Sequence, residues 1–155
     1  MKRIFLISLA LGLVLFVPRP AVAAVKVTDI AKAINTVRAR YHLVQLKTEW
    51  RLQTVARTRS ANIVVNSSLT HAQPSSLTWK MVRRLGYRFT ASGELLAADF
   101  STASLMVAAW MNSPAHRSII LNPRLRDIGV SVARARSGQP FSYAAVVVLG
   151  RKTGL

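Results

Sequence analysis

The spacing of apolar residues changes near Pro123, and this change limits the folds open to the chain. Before it, apolar side chains recur every three or four residues, which is the period of an amphipathic helix. After it, Ile128, Val130 and Val132 alternate with small or polar residues, and a turn at 137–140 leads into an apolar run. Two such segments joined by a turn are typical of an antiparallel hairpin. Helices followed by a hairpin, without regular strand–helix alternation, predict an α+β fold with helices packed on an antiparallel sheet.

Five helical segments are indicated by cap residues and helical spacing. They are expected to begin near Thr28, Thr48, Thr78, Ser101 and Pro114. Among the arginines in these helices, Arg38 and Arg59 are expected to face water. A short strand is predicted at 87–90, with Glu94 placed where that strand ends. The tryptophans are expected to be core or half-buried anchors: Trp50, Trp79 and Trp110.

The first 23 residues have the pattern of a secretory signal peptide. Lys2 and Arg3 precede an apolar run over 4–17, and Ala21-Val22-Ala23 forms an A-x-A cleavage site. We therefore expect an exported protein, periplasmic or secreted, with a single domain over residues 24–155. The apolar run is short for a membrane span, and an uncleaved anchor is the alternative.

The chain is strongly basic and has no cysteine. It contains 22 Lys and Arg residues against five acids, and removing Lys2, Arg3 and Arg19 with the signal lowers the formal charge from +17 to +14. Such a charge favours anionic partners, for example cell-envelope polymers or acidic lipids. The basic residues are dispersed and are not interleaved with aromatic ones, so no specific nucleic-acid partner is expected. We expect a monomer whose fold depends on packing rather than on disulfides.

Three ionisable residues are candidate metal ligands: His71, Glu94 and His116. His116 follows the helix start Ser113-Pro114, and a helix N-terminus disfavours a protonated imidazole, which keeps a lone pair available. Two neutral imidazoles and a carboxylate suit zinc with an open position for water. Each residue also has a purely structural explanation: His71 could make a hydrogen bond in a loop, Glu94 could cap a helix or pair with an arginine, and His116 could cap its helix. Their spacing in the sequence leaves both the metal-binding and the structural interpretation open. The sequence has no H-E-x-x-H or G-x-S-x-G motif.

Several short motifs, taken in order, make the chain resemble the bacterial branch of the CAP superfamily, the SCP/PR1-like proteins. The most specific is W-x-x-S-x-x-H-R at 110–117, followed by Ile128-Gly129-Val130. The other motifs are Ile34-Asn35-Thr36-Val37-Arg38, Leu69-Thr70-His71, Arg84-Leu85-Gly86-Tyr87 and Ser92-Gly93-Glu94. The resemblance implies an α-β-α sandwich with a small antiparallel sheet between helices. It also implies a central cleft with two histidines and acidic residues, which holds a divalent cation in some members.

The resemblance implies specific residues for that cleft. The positions that match the family's cleft are His71, Glu94 and His116, which would be the metal ligands. From the ligand chemistry we expect zinc, and we expect Ser113 and Arg117 to line the same ligand cleft. Two positions depart from the family pattern. Leu95 replaces the asparagine of the usual G-E-N, and Ser113 stands where eukaryotic members carry a second cleft glutamate. With one carboxylate fewer, the cleft is less anionic.

The resemblance does not specify a reaction, because members are linked to lipid or sterol binding, signalling, defence and, in isolated cases, proteolysis. We expect an exported binding module rather than an enzyme, with a small apolar or lipid ligand and anionic cell-envelope components as partners. One alternative is a cationic envelope-associated protein that binds anionic polymers or lipids through its surface. Another is a metal-assisted hydrolase in which Glu94 is the general base on a water held by His71 and His116.

Overall fold

The computed structural model of the chain describes residues 23–71 and 77–154, apart from the side chain of Leu77. The predicted signal peptide up to residue 22 and the predicted loop at 73–76 lie outside these residues. The described part contains five helices and four strands: α1 (Val27–Arg40), β1 (Lys47–Thr48), α2 (Trp50–Val65), α3 (Leu77–Arg84), β2 (Phe89–Ala98), α4 (Ala103–Asn112), α5 (Pro114–Ile120), β3 (Asp127–Arg134) and β4 (Tyr143–Lys152). None of these helices is long and apolar enough to cross a membrane.

The strands form one sheet in the order β1-β3-β4-β2. The predicted hairpin is β3–β4, and β4 also pairs antiparallel with β2, which makes β4 a central strand. Residues 143–150 are buried throughout, because helices cover both faces of the sheet, and this explains the unbroken apolar run. Strand β1 was not predicted. It has two residues and pairs in parallel with the start of β3, so it has no periodicity of its own.

Apolar side chains fill two cores, one on each face of the sheet. The first core lies between the sheet and helices α1, α4 and α5, and it includes Ile34, Leu95 and Trp110. The second core lies between the opposite face of the sheet and helices α2 and α3, and it includes Leu52 and Val148. The α+β class and the α-β-α arrangement are therefore confirmed, with one parallel strand pair in an otherwise antiparallel sheet.

Helix α2 lies directly on β3 because Gly129 has no side chain. A Cβ at this position would overlap the backbone of Leu52 and Gln53. The Gln53 side chain makes two hydrogen bonds to β3, since its Nε2 donates to the Val130 carbonyl at 2.5 Å and its Oε1 accepts from the Val130 N–H at 3.0 Å. The helix is thus held at a defined position over the sheet.

Several predicted boundaries are wrong. Helix α1 begins at Val27 with Lys26 at its N-cap position, rather than with a cap at Thr28, and two other differences affect the packing. The N-cap of α2 is Glu49 rather than Thr48, because Thr48 belongs to β1 and the Glu49 carboxylate accepts from the N–H groups of Arg51 and Leu52. Strand β2 extends from Phe89 to Ala98, well past the predicted end at residue 90. The Ser92-Gly93 pair has the composition of a turn, but a Cβ at Gly93 would press on Ile119 of α5, so the glycine permits close packing within a strand.

Two side chains have exposures opposite to those predicted. Trp79 and Trp110 are buried as expected, whereas Trp50 is 58% exposed, with the Arg51 guanidinium 4.5 Å from its ring centroid. Arg38, predicted to face water, is fully buried. It lies four residues after Ile34 and therefore on the buried stripe of α1. Its guanidinium donates only to backbone carbonyls among the described residues: those of Val44, Ile120, Asn122 and Leu125.

Candidate functional site

The three predicted metal ligands come from separate elements that meet at the edge of the sheet. His71 follows α2, Glu94 lies within β2, and His116 is in the first turn of α5. Because β2 is an edge strand, residues from the helical layers on its two faces can meet beside it. The structure brings the two histidines into contact although they are 45 residues apart in sequence.

The three side chains form a chain of contacts from the buried Glu94 carboxylate through the exposed His71 imidazole to the partly buried His116. Glu94 Oε2 lies 3.1 Å from Nδ1 of His71, and Nε2 of His71 lies 3.3 Å from Nε2 of His116. The two imidazole centroids are 5.5 Å apart, with the rings tilted by 42°. The Glu94 side chain is 4% exposed and that of His71 is 51% exposed. The histidine pair is therefore open to solvent on one side and backed by a carboxylate on the other.

Arg59 belongs to this site, although its side chain was expected to face water. Its Nε donates to Glu94 Oε1 at 3.0 Å, and its Nη2 donates to the Thr70 carbonyl next to His71. Arg59 lies three residues after Ala56 and four before Ile63, on the buried stripe of α2. That spacing could have identified it. One guanidinium thus holds both the carboxylate and the segment that carries the first histidine.

The Glu94 contact determines which nitrogen of His71 is available. A carboxylate accepts from Nδ1–H, so the neutral ring keeps its lone pair on Nε2, the atom that faces His116. A carboxylate that orients a histidine in this way is a usual partner of metal-binding imidazoles. For His116, burial and, to a smaller extent, the neighbouring His71 lower the pKa below its ordinary value of 6.5. Both effects favour the neutral imidazole at pH 7.

The separation of the two Nε2 atoms suits a shared cation. A tetrahedral ion with bonds of about 2.0–2.1 Å holds its nitrogen ligands roughly 3.3–3.4 Å apart. Within residues 23–71 and 77–154, no group of three or more His, Cys, Asp and Glu side chains is placed to hold a metal ion. The predicted set is thus divided: His71 and His116 present adjacent nitrogens, and Glu94 contacts the opposite nitrogen of His71.

Two other predicted cleft residues do not join this contact chain. Ser113 occupies the N-cap position of α5, but its side chain makes no capping hydrogen bond. Arg117 is directed away, since its Nη2 donates to Tyr41 Oη at 3.0 Å and its guanidinium lies 5.6 Å from the Tyr41 ring centroid. It lines a separate cavity of about 910 Å³ between α1 and α4. Successive helical residues point about 100° apart, so His116 and Arg117 serve different surfaces.

Leu95, the departure from the family's G-E-N, lies on the opposite face of β2 from Glu94. It is fully buried in the core beside α1 and α4, whereas Glu94 faces Arg59 of α2. Alternation of side chains along a strand separates the two. The substitution therefore changes the core beneath the strand and leaves the carboxylate contacts in place.

The lowered pKa of His116 predicts a pH-dependent stability. Below about pH 6.5 the unfolded chain takes up a proton at His116 more readily than the folded chain, so the stabilisation present above that pH is lost as the pH falls towards the folded pKa. Urea unfolding from about pH 7.5 to about pH 5 should show wild type losing stability relative to His116→Gln. The exposed His42 supplies the control His42→Gln. A wild-type minus His116→Gln difference that does not vary with pH would contradict this expectation.

The sequence matches a known protein family over most of its length. The model of the CAP family, the cysteine-rich secretory protein family, matches residues 31–149. The chain belongs to the CAP family. It has no cysteine, so this CAP-family fold is held without disulfides.

Similar proteins occur in bacteria. YkwD of Bacillus subtilis is 29% identical over 109 residues, which cover 70% of this chain and 42% of YkwD. A Borreliella burgdorferi protein is 25% identical over 96 residues, covering 62% of this chain and 61% of the relative. The matched region thus spans less than two thirds of either relative.

Solved structures of bacterial proteins share the fold. An outer surface protein from Borrelia burgdorferi has a TM-score of 0.71 at 21% identity, covering 81% of this chain and 92% of that one. An extracellular protein with an SCP domain from Bacillus anthracis has a TM-score of 0.67 at 24% identity, covering 81% and 40%. The structural similarity extends over most of this chain.

Proposed function

We propose that this CAP-family protein is an exported binding module in which His71 and His116 together hold a divalent cation, most suitably zinc. The observation that carries the proposal is the 3.3 Å separation of their Nε2 atoms, which matches two adjacent ligands of a tetrahedral ion. With two protein ligands, the remaining coordination positions are left for water or for a donor atom of a bound partner. Bound zinc would supply a Lewis acid at these positions.

The other residues of the site act on the two imidazoles. Glu94 accepts from Nδ1 of His71 and so presents the Nε2 lone pair, while Arg59 holds the carboxylate in place. Burial lowers the pKa of His116, which favours its neutral, ligating form.

Binding is a better account of the site than hydrolysis. A general base needs a carboxylate oxygen within reach of the water that it deprotonates. Glu94 is buried, with one oxygen on Arg59 and the other on His71. The carboxylate is therefore suited to orienting a ligand rather than to accepting a proton.

Two observations support export. The segment Met1 to Ala23 has the charged start, apolar run and A-x-A site of a secretory signal. The structurally similar proteins include one described as an outer surface protein and one described as extracellular. We propose that the binding module functions outside the cytoplasm.

Zinc titration by calorimetry tests the cation site. The protein purified after export should bind one zinc ion per chain at neutral pH, and His71→Ala and His116→Ala should each abolish binding, because one imidazole is too few protein ligands. His42→Ala removes a histidine that lies outside the pair and should bind as wild type does. Equal zinc uptake by His116→Ala and wild type would refute the proposal.

The variant Glu94→Gln separates a supporting role from a ligand role. Loss of a partner that orients a metal-binding histidine lowers affinity by about 10- to 100-fold and leaves the ligands in place. The variant should therefore still bind one zinc ion, but more weakly. Affinity equal to that of wild type would show that the Glu94–His71 contact does not contribute to binding.

A further inference from the structure

A second concave site lies at the end of the sheet where β1, β3 and β4 are adjacent. Its volume is about 320 Å³, and its charged lining consists of four cations and one carboxylate: Lys47, Arg126, Arg151, Lys152 and Asp127. Strand pairing explains the convergence, because Lys47 is in register with Asp127, and Asp127 is in register with Gly150 next to Arg151. Residues far apart in sequence therefore surround one small volume. They include neither histidine of the proposed cation site.

The positive charge of this cavity is poorly compensated within the described part of the protein. In the described part of the protein, the arginine–carboxylate ion pairs are Arg51–Glu49 and Arg59–Glu94. Lys47, Arg126 and Lys152 have no carboxylate partner within ion-pair distance among the described residues. Arg126 uses one nitrogen on backbone carbonyls, donating to those of Pro123 and Leu125 at 2.6 and 2.7 Å. Four cations around a single carboxylate leave a net positive charge, and the cations repel one another.

The single carboxylate of the cavity is already engaged. Asp127 Oδ2 accepts from the Tyr87 hydroxyl at 2.6 Å. Arg126 in addition acts on the buried Arg38, whose pKa is lowered first by burial and second by the Arg126 charge. Positive charge therefore extends from the cavity towards the core, and an anion at its mouth would offset it.

We propose that this cavity binds a phosphate group carrying more than one negative charge, such as a diphosphate or a phosphomonoester. Guanidinium groups match phosphate oxygens with paired N–H donors, and lysine ammonium groups add point charges. Several cations around a small volume favour a compact, multiply charged anion over a singly charged one. The group can come from a soluble phosphate compound or from a lipid headgroup.

Calorimetric titration with inorganic pyrophosphate tests the proposal, in about 0.15 M salt so that distant charges are screened. Wild type should bind one pyrophosphate per chain. The variant K47Q/K152Q should bind roughly tenfold more weakly or worse, the scale expected from two unit charges near the anion. Neither lysine has a side-chain hydrogen bond or ion pair with another described residue, so the variant should fold normally.

A matched variant separates a local site from general basicity. R57Q/R136Q also removes two charges, from exposed arginines that do not line the cavity. It should bind pyrophosphate as wild type does. Equal weakening in the two double variants would assign binding to net charge and overturn the proposal, as would an absence of binding by wild type.

Replacing Asp127, the carboxylate of the cavity, should increase the affinity for pyrophosphate. A variant with a damaged fold would lose affinity instead. In Asp127→Asn the amide oxygen can still accept from Tyr87, while one negative charge leaves the cavity. Pyrophosphate affinity should rise by several-fold. An unchanged or lower affinity in a folded Asp127→Asn protein would place the anion elsewhere and contradict the proposal.

Vesicles distinguish the two sources of the phosphate group. Phosphatidylcholine vesicles with and without phosphatidic acid are mixed with wild type and with K47Q/K152Q. Phosphatidic acid-dependent binding that the double variant loses assigns the cavity to a lipid headgroup. Pyrophosphate binding without cavity-dependent vesicle binding assigns it to a soluble phosphate compound.

Discussion

Replacing Arg38 by alanine is expected to lower the free energy of unfolding by at least about 3 kcal/mol, because each buried carbonyl left without a donor costs about 1–3 kcal/mol. Arg38 is fully buried and donates to four carbonyls in the turn after α1 and around the end of α5. The two at Ile120 and Asn122 are 82 and 84 residues away in sequence. The variant should therefore loosen the anchoring of α5, the helix that carries His116.

Urea unfolding of Arg38→Ala and Arg40→Ala provides the comparison. Arg40 ends the same helix and is exposed, so its removal should cost less than about 1 kcal/mol. Arg38→Lys should lie between the two, because a single ammonium keeps the charge but cannot reproduce the planar donor pattern. A loss below about 1 kcal/mol in Arg38→Ala would mean that water or nearby groups replace the guanidinium.

Trp110→Ala is expected to lower the free energy of unfolding by about 3–5 kcal/mol, the usual cost of truncating a buried tryptophan. The side chain is 3% exposed and lies in the core shared by α1, α4 and the sheet. Its indole Nε1–H also donates to the Leu96 carbonyl of the edge strand β2 at 2.9 Å. Truncation therefore leaves a cavity and a buried acceptor without its donor.

Two further variants separate these contributions. Trp110→Phe keeps most of the buried ring but loses the hydrogen bond to Leu96, so it should cost less than Trp110→Ala. Trp50→Ala removes a ring that is 58% exposed and should cost less than about 1 kcal/mol. Equal losses in chemical unfolding for Trp50→Ala and Trp110→Ala would contradict the assignment of Trp110 to the core.

The sequence predicted the helices and the hairpin well because their apolar periods are long and regular. Helix α4 and the β3–β4 hairpin lie close to their expected positions. Strand β2 was predicted too short, since Ser92-Gly93 has the composition of a turn. The two-residue strand β1 gave no local signal, because it exists only through parallel pairing with β3.

The predictions that Arg38 and Arg59 face water are wrong for the same reason. Each lies on the buried stripe of its helix. The prediction of solvent exposure followed from the charge of arginine, which is mostly found at protein surfaces, and not from its position in the helix. A buried arginine is stable when it finds enough acceptors, and those acceptors come from elements distant in sequence. Arg38 donates to the carbonyls of Ile120, the last residue of α5, and of Asn122 just after it, and Arg59 donates to Glu94 in β2.

The sequence by itself determined the α+β class, the candidate histidines and the family resemblance, because helical and strand periods and the W-x-x-S-x-x-H-R block are local patterns. Only the tertiary structure decided how the candidate residues are combined. It joined Arg59, Glu94, His71 and His116 in one chain of contacts and directed Arg117 to Tyr41. The physical reason is that these contacts are made across the edge of a sheet and between helical layers, and their distances depend on how the layers pack rather than on spacing along the chain.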